Sequence, residues 1–127
     1  MGWLGKGIES MISIEAIVRP ERVSKVTAAL EDAGCPGFYY FNITGEGRQR
    51  GVEVFVGRGG QMATRHTVPK TLIRTVVNED MKDAIVAAIV GAAKGPGEGD
   101  IGDGKVFLSH VDDAVRVRTG EQGSDAI

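Results

Sequence analysis

The chain has 127 residues and a formal net charge of -2 at pH 7, which is the size of one ordinary domain without a strong charge bias. Its 42% hydrophobic and 25% charged residues are typical of soluble globular proteins, and the balanced charge does not favour nucleic-acid binding. The apolar run 84–93 is shorter than the roughly 18 residues of a membrane span. Because the first ten residues lack a signal-peptide pattern and Cys35 has no disulfide partner, we expect a cytoplasmic protein.

The first half of the chain predicts a strand, a helix and a second strand. The β-branched segment 12–18 is typical of a buried strand, and Pro20 suits the first turn of a following helix. Gly34 suits the left-handed position that ends a helix, and the aromatic segment 38–44 predicts the second strand. The apolar stripe of the helix has helical spacing and comprises Val23, Val26, Leu30 and Ala33.

The second half of the chain predicts a strand, a longer helix, a further strand and a short extended piece. Residues 71–77 form the third predicted strand, and Asn78 suits the N-cap of the helix that follows. Residues 106–111 predict the fourth strand, and residues 114–118 predict the extended piece. The apolar stripe of the second helix comprises Met81, Ala84, Ile85, Ala88, Ile89 and Ala92.

The order β-α-β-β-α-β predicts an α+β fold of the ferredoxin-like type. It implies an antiparallel four-stranded sheet with both helices on one face. We expect residues 1–10 to be an N-terminal extension and residues 11–127 to form the domain. The aromatic residues 38–41 give neither face of the second strand a polar pattern, so we expect the face that the helices leave open to be buried between subunits.

Two connections are unusually rich in glycine. Residues 45–69 join the second and third strands and contain six glycines, and residues 94–105 precede the fourth strand and contain five. Such connections are expected to be mobile, and long ones are often functional. Composition alone nevertheless favours plain flexible linkers over ligand sites.

Neither connection contains a complete phosphate-binding motif of the two most familiar kinds. Residues 99–105 match the P-loop pattern through the lysine, but Val106 replaces the magnesium-binding hydroxyl and a strand follows instead of a helix. The glycines of residues 45–51 have the wrong spacing for a dinucleotide fingerprint, and no helix follows them.

The glycines and the basic residues near them still suit a polyanion such as a triphosphate. Successive N–H groups around Gly102, Asp103 and Gly104 would form an anion-binding nest, with Lys105 beside it. Four arginines supply further positive charge: Arg48, Arg50, Arg116 and Arg118. For Arg116 and Arg118, a solvated strand edge is an equally good interpretation.

Three motifs in these segments resemble the signatures of the PII signal-transduction proteins. They are GEGRQRG at residues 45–51, IGDGKVF at residues 101–107 and VRVRTGE at residues 115–121. The opening IEAIVRP and the closing DAI also resemble that family. The resemblance therefore covers residues 11–127 in the family's order.

The resemblance implies a ferredoxin-like subunit that forms a homotrimer, with nucleotide sites in the clefts between neighbouring subunits. ATP and ADP compete for these sites, and 2-oxoglutarate binds together with Mg-ATP. The long connection between the second and third strands, called the T-loop, docks on targets such as ammonium channels or metabolic enzymes. The resemblance therefore implies a regulator and not an enzyme.

The resemblance also assigns roles to individual residues at the motif positions. The 2-oxoglutarate site is assigned to Gln49, Gly51 and Lys70, and Gln49 also completes the coordination of the Mg2+ that ATP carries. Contact with targets is assigned to Val52, Arg58 and Arg65 in the T-loop. Nucleotide binding is assigned to Gly45, Gly47, Arg48, Gln49, Gly102, Asp103, Gly104, Lys105, Arg116 and Arg118.

The T-loop differs from that of the best-known enteric members. Residues 52–68 contain no tyrosine, so the uridylylation that those members use has no acceptor here. Residues 45–70 carry four Arg and one Lys against two Glu, a net charge of +3 that suits an acidic partner surface. A solvated loop is an equally good interpretation of this charge.

Three alternative functions fit part of the pattern. Within the family, divergent T-loops also occur in regulators of nitrogen fixation and of inorganic-carbon metabolism, where bicarbonate or another anion would join the nucleotide. An RNA-binding domain shares the order of elements, but residues 71–77 lack the aromatic side chains that stack on bases. An enzyme or metal site would need a ligand spacing that His66 and His110 do not have.

Overall fold

The computed structural model describes residues 10–48, 54–56, 61–63, 65–97 and 99–127. Among them, helix α1 (Val23–Asp32) follows a 3-10 turn at Pro20–Arg22, and helix α2 (Glu79–Ala93) follows the longest strand. The strands are β1 (Met11–Val18), β2 (Tyr39–Arg48), β3 (Val54–Val56), β4 (Gln61–Ala63), β5 (Arg65–Asn78) and β6 (Gly104–Val111).

The four long strands form one antiparallel sheet in the order β2-β5-β1-β6, and β3 and β4 form a separate pair. Strand β1 lies near the centre, where Ile14 is opposite Thr75 of β5 and Leu108 of β6. Because α1 follows β1 and α2 follows β5, the long elements run in the order β-α-β-β-α-β. The predicted ferredoxin-like fold is confirmed.

The core lies between this sheet and the two helices. Alternate residues of β1 face the helices and are buried, namely Ile12, Ile14, Ala16 and Val18. They pack with buried residues of β5, α1 and α2, namely Ile73, Val77, Val26, Leu30, Ile85, Ile89 and Ala93. Burying a large aliphatic side chain contributes about 1.5–3 kcal/mol, so this layer fixes both helices on one face of the sheet. Within the described residues, neither helix is long and apolar enough to cross a membrane.

Helix α1 ends at a glycine in the left-handed conformation, as predicted. Gly34 has a φ of 78°. Its N–H donates to the carbonyl of Glu31, and the N–H of Cys35 donates to the carbonyl of Leu30, both at 3.0 Å. These two bonds satisfy the last carbonyls of the helix and turn the chain toward β2.

Helix α2 begins directly after Asn78, as predicted. Within the described residues, however, the predicted side-chain cap is absent. Asn78 has the extended backbone of an N-cap residue, but its side chain makes no capping hydrogen bond. The N–H of Glu79 instead donates to the carbonyl of Ser10 at 2.8 Å. Glu79 and Asp80 also place negative charge at the positive end of the helix dipole, which stabilises the first turn.

The long connection predicted over residues 45–69 is shorter than expected at both ends, because β2 continues to Arg48 and β5 begins at Arg65. Gly45 of β2 is opposite Val68 of β5, and the pairing continues to Arg48 opposite Arg65. Glycine is a poor strand residue, so the sequence hides this pairing, which the partner strand stabilises.

Within the described residues, the extended part of the sheet has two strands, because β1 pairs with β5 from Thr71 onward. Residues 65–70 of β5 pair there with β2 alone. An unpaired strand edge tolerates the missing N–H of Pro69. We call the paired segments 43–48 and 65–70 the ribbon.

The extended piece predicted over residues 114–118 is also wrong, because the chain turns there. Val115 makes a single β-bridge to Gln122, and Gly120 between them has a φ of 74°. The N–H of Arg116 donates to the carbonyl of Glu121, and the N–H of Gly120 donates to the carbonyl of Arg116, both at 2.8 Å. Arg116 therefore does not lie on a strand, and neither does the arginine two residues later.

The sheet face away from the helices carries large apolar side chains. Tyr39, Phe41 and Phe107 lie on this face with exposed fractions of 53%, 51% and 51%. Tyr39 and Phe107 lie in one row across the sheet with Arg74 and Glu15, whose Nε and Oε1 are 3.9 Å apart. We call this surface the open face.

Candidate functional site

The glycine-rich connection between α2 and β6 turns back against the end of β1. Gly99, Gly102 and Gly104 have positive φ angles of 101°, 93° and 127°. A Cβ atom at Gly104 would lie 1.9 Å from the carbonyl oxygen of Ile17, so only glycine fits this close approach. We call residues 99–104 the glycine loop.

Asp103 holds the glycine loop in its turn. Its Oδ2 accepts hydrogen bonds from the backbone N–H groups of Gly95 and Asp100, both at 2.8 Å. Its Oδ1 accepts a hydrogen bond from Nε of Arg19 at 3.3 Å. The two backbone N–H groups, assisted by the Arg19 guanidinium, hold the pKa of Asp103 below its ordinary value.

Arg19 joins the end of β1 to the same loop. Its Nη2 donates to the carbonyl oxygen of Ile101 at 2.7 Å, in addition to its ion pair with Asp103. Arg19 is not among the site residues predicted from the sequence, because these partners lie 82 and 84 positions away along the chain. The local signal is weak, a cation directly after a predicted strand and before Pro20.

Lys70 contacts the glycine loop from the base of the ribbon. Its Nζ donates to the carbonyl oxygen of Gly102. Burial and the neighbouring Arg19 lower the pKa of Lys70 from its ordinary value, and Glu21 and Asp103 oppose that change. A bound anion would stabilise the charged form of this lysine.

The ribbon places other predicted residues near Lys70. A Cβ atom at Gly45 would lie 3.5 Å from Cγ of Lys70, so β2 passes close to the lysine side chain. Lys105 follows the glycine loop on β6, opposite Ile17, with an exposed side chain. The fold therefore brings Gly45, Lys70 and the glycine loop together from three distant parts of the sequence.

The C-terminal arginines lie apart from this cluster. Nε of Arg116 is 3.7 Å from Oε1 of Glu121, and its Nη2 donates to the carbonyl oxygen of Asp125 at 3.3 Å. Arg118 is exposed in the turn. Within the parts of the chain that the structure describes, no contact joins either arginine to Lys70.

The remaining predicted residues are placed by their backbone alone or not at all. Gln49, Gly51, Val52 and Arg58 lie outside the described residues. Three others lie in the ribbon and are described by backbone position, namely Gly47, Arg48 and Arg65. The roles assigned to all seven stay predictions.

A pocket of about 310 Å³ opens between the glycine loop and the start of α1. Arg22, Lys25 and Asp100 are among the residues that line it. None of these three residues is among the site residues predicted from the sequence. Arg19 and Asp103 also line the pocket, so the contacts that hold the loop are reachable from solvent.

Comparison with known proteins gives one consistent result. The family model described as "Nitrogen regulatory protein P-II" matches residues 11–121. A curated relative, nitrogen regulatory protein P-II 2 of Methanothermobacter thermautotrophicus, is 46% identical over 118 residues, which are 92% of this chain and 97% of the relative. Nitrogen regulatory protein P-II of Rhodobacter capsulatus is 40% identical over 118 residues, which are 92% of this chain and 100% of the relative.

Solved structures share the fold over nearly the whole chain. GlnK of Bacillus subtilis, solved as a complex with ATP, has a TM-score of 0.74 at 24% identity and covers 93% of this chain and 98% of its own. PII of Arabidopsis thaliana bound to citrate has a TM-score of 0.67 at 30% identity and covers 94% of both chains. The similarity to GlnK concerns the fold alone.

Proposed function

Because the chain belongs to the nitrogen regulatory protein P-II family, we propose that it binds ATP and ADP and regulates target proteins through its T-loop. The observation that carries this proposal is the contact between the base of the ribbon and the glycine loop at Lys70 and Gly102. The ribbon leads directly into the T-loop. A ligand bound between the ribbon and the glycine loop therefore acts on the segment that meets the target.

The proposed nucleotide site is the glycine loop with Lys105 and the cations predicted around it. Backbone N–H groups in a glycine-rich turn favour phosphate oxygens. ATP carries about four negative charges, and each charge-assisted hydrogen bond contributes about 1.5–3 kcal/mol. A few such bonds give micromolar affinity, about -8 kcal/mol. A protein of the same fold has been solved with ATP, which makes ATP the first nucleotide to test.

The proposed second ligand is 2-oxoglutarate, bound next to Mg-ATP. Lys70 suits one of its carboxylates, because burial disfavours an ammonium group that has no bound anion. The Arabidopsis relative, at 30% identity, has been solved with citrate, which is also a small polycarboxylate. Mg2+ would be held by the phosphate oxygens of ATP and by Gln49, since Mg2+ prefers oxygen ligands.

The proposed assembly is a homotrimer in which the open faces of three sheets meet. Phe107 is half exposed on this face, as are Tyr39 and Phe41, and three such faces would bury one another. Light scattering is expected to give a mass of about three times 13.4 kDa. Phe107→Glu places a charge in the interface and is expected to yield monomers.

Val90→Glu is the matched control for this prediction. Val90 is 47% exposed on α2, on the opposite side of the sheet, so a charge there is expected to leave the trimer intact. A monomeric native protein at micromolar concentration would contradict the proposed assembly. Phe107→Glu assembling as well as Val90→Glu would exclude the open face from the interface.

One calorimetric titration tests the ligand set. ATP and ADP are expected to bind with micromolar affinity and without hydrolysis at an enzymatic rate, and 2-oxoglutarate is expected to bind only in saturating Mg-ATP. AMP and bicarbonate complete the series. Binding of bicarbonate in place of 2-oxoglutarate would move the protein to the inorganic-carbon branch, and absence of nucleotide binding would contradict the proposal itself.

A further inference from the structure

Asp103 lies in the motif to which the family resemblance assigns phosphate binding, but its side chain has other partners. Both carboxylate oxygens accept hydrogen bonds from the protein, Oδ2 from two backbone N–H groups and Oδ1 from Arg19. The backbone N–H of Asp103 donates to the carbonyl of Asp100 at 3.2 Å. A carboxylate would moreover repel a triphosphate at close range.

The partners of this carboxylate come from three separate places in the fold. Gly95 lies just after α2, Asp100 lies within the glycine loop, and Arg19 lies just after β1. The side chain of Asp103 is 17% exposed, so it lies inside the turn that these groups form. A loop with several glycines has many conformations when free, and ordering it costs entropy. The three hydrogen bonds that this one carboxylate accepts offset part of that cost.

We propose that Asp103 is a positioning residue, whose carboxylate holds the glycine loop in the shape that presents its backbone to the nucleotide phosphates without contacting them. The proposal rests on the proposed function as far as the nucleotide is concerned. The hydrogen bonds from the N–H groups of Gly95 and Asp100 to Asp103, which we call the tie, do not depend on that function.

The sign of one mutational effect separates this role from simple electrostatics. Neutralising a carboxylate near a bound triphosphate removes a repulsion, which by itself strengthens nucleotide binding. Neutralising a carboxylate that shapes the loop weakens binding, because the backbone groups lose their alignment. Asp103→Asn keeps the size of the side chain but leaves one neutral acceptor in place of two charged ones, and its NH2 group faces either Nε of Arg19 or the two backbone N–H groups, so it tests these opposite expectations directly.

The experiment compares Asp103→Asn with Asp83→Asn in the same 127-residue chain. Asp83 carries the same charge, but it is exposed on α2, outside the glycine loop and the pocket. Calorimetry is expected to give an ATP affinity about 10- to 100-fold lower for Asp103→Asn, and an unchanged affinity for Asp83→Asn. Adenosine lacks phosphates, so its affinity is expected to be the same for both variants and the native protein.

Amide hydrogen exchange of the nucleotide-free protein gives the second measurement. The amides of Gly95 and Asp100 are expected to exchange faster in Asp103→Asn, while those of β1 keep their protection. An Asp103→Asn variant that binds ATP at least as tightly as the native protein, or that leaves both amides protected, would overturn the proposal. If the native protein binds no nucleotide, the phosphate role fails with the proposed function, and faster exchange still identifies the tie.

Discussion

Replacing Gly104 by alanine is expected to destabilise the protein by about 3–5 kcal/mol and to abolish nucleotide binding. The added Cβ would lie 1.9 Å from the carbonyl oxygen of Ile17, at a φ of 127° that disfavours any side chain. The obstructing atom belongs to the backbone of β1, which pairs with strands on both sides. Relief of the contact therefore requires that β6 and the glycine loop move away from the sheet.

Gly120→Ala is the control that separates conformational strain from this collision. Gly120 has a φ of 74°, but among the described residues no atom other than those of its two chain neighbours lies within 4 Å of the added Cβ. Its replacement is expected to cost about 1 kcal/mol. Urea denaturation followed by circular dichroism measures both variants. Equal midpoints for the two variants would show that the approach of Gly104 to Ile17 does not limit stability.

Replacing Lys70 by alanine is expected to lower the affinity for 2-oxoglutarate about 10- to 150-fold in saturating Mg-ATP. The variant removes the cation proposed to meet a carboxylate of the ligand, a charge-assisted contact. It also frees the carbonyl oxygen of Gly102, to which Nζ of Lys70 donates. ATP affinity measured without 2-oxoglutarate is expected to change much less, because the proposed phosphate contacts lie in the glycine loop.

Lys82→Ala serves as the control for loss of one positive charge. Lys82 lies on α2, away from the ribbon, and its replacement is expected to leave both affinities unchanged. Calorimetry on the native protein and both variants gives the comparison. If Lys70→Ala binds 2-oxoglutarate as tightly as the native protein does, the role assigned to Lys70 is wrong.

The fold was predictable wherever one face of an element is buried. Alternation in β1 and the helical spacing of Val26 and Leu30 follow directly from packing against a shared core. The ribbon was not predictable, because the stability of its Gly45–Val68 pairing comes from the partner strand and not from local preference. The C-terminal turn was missed because alternating Val and Arg residues are typical of a strand.

The candidate site was predictable where a motif is contiguous in sequence and not where contacts cross the fold. The glycine loop was predicted from its motif and Lys70 from the family resemblance at the end of the long connection, and the structure brings them into contact. Arg19 was missed because its partners become neighbours only when β1 and the glycine loop meet. The orientation of the Asp103 side chain was likewise not encoded in spacing, since it depends on a backbone N–H at the end of α2.

Strand β5 is continuous, but its two ends have different neighbours in the sheet. From Thr71 to Arg74 it pairs with both β1 and β2, whereas residues 65–70 pair, within the part of the chain that the structure describes, with β2 alone. The pairing with β1 therefore stops next to Lys70, the residue that contacts the glycine loop. The five residue steps from Lys70 to Arg65 span about 16 Å. If this segment tilted by about 10° about Lys70, Arg65 would move by about 3 Å. A small change in strand direction at Lys70 would thus shift the backbone by several ångströms where the chain enters the T-loop.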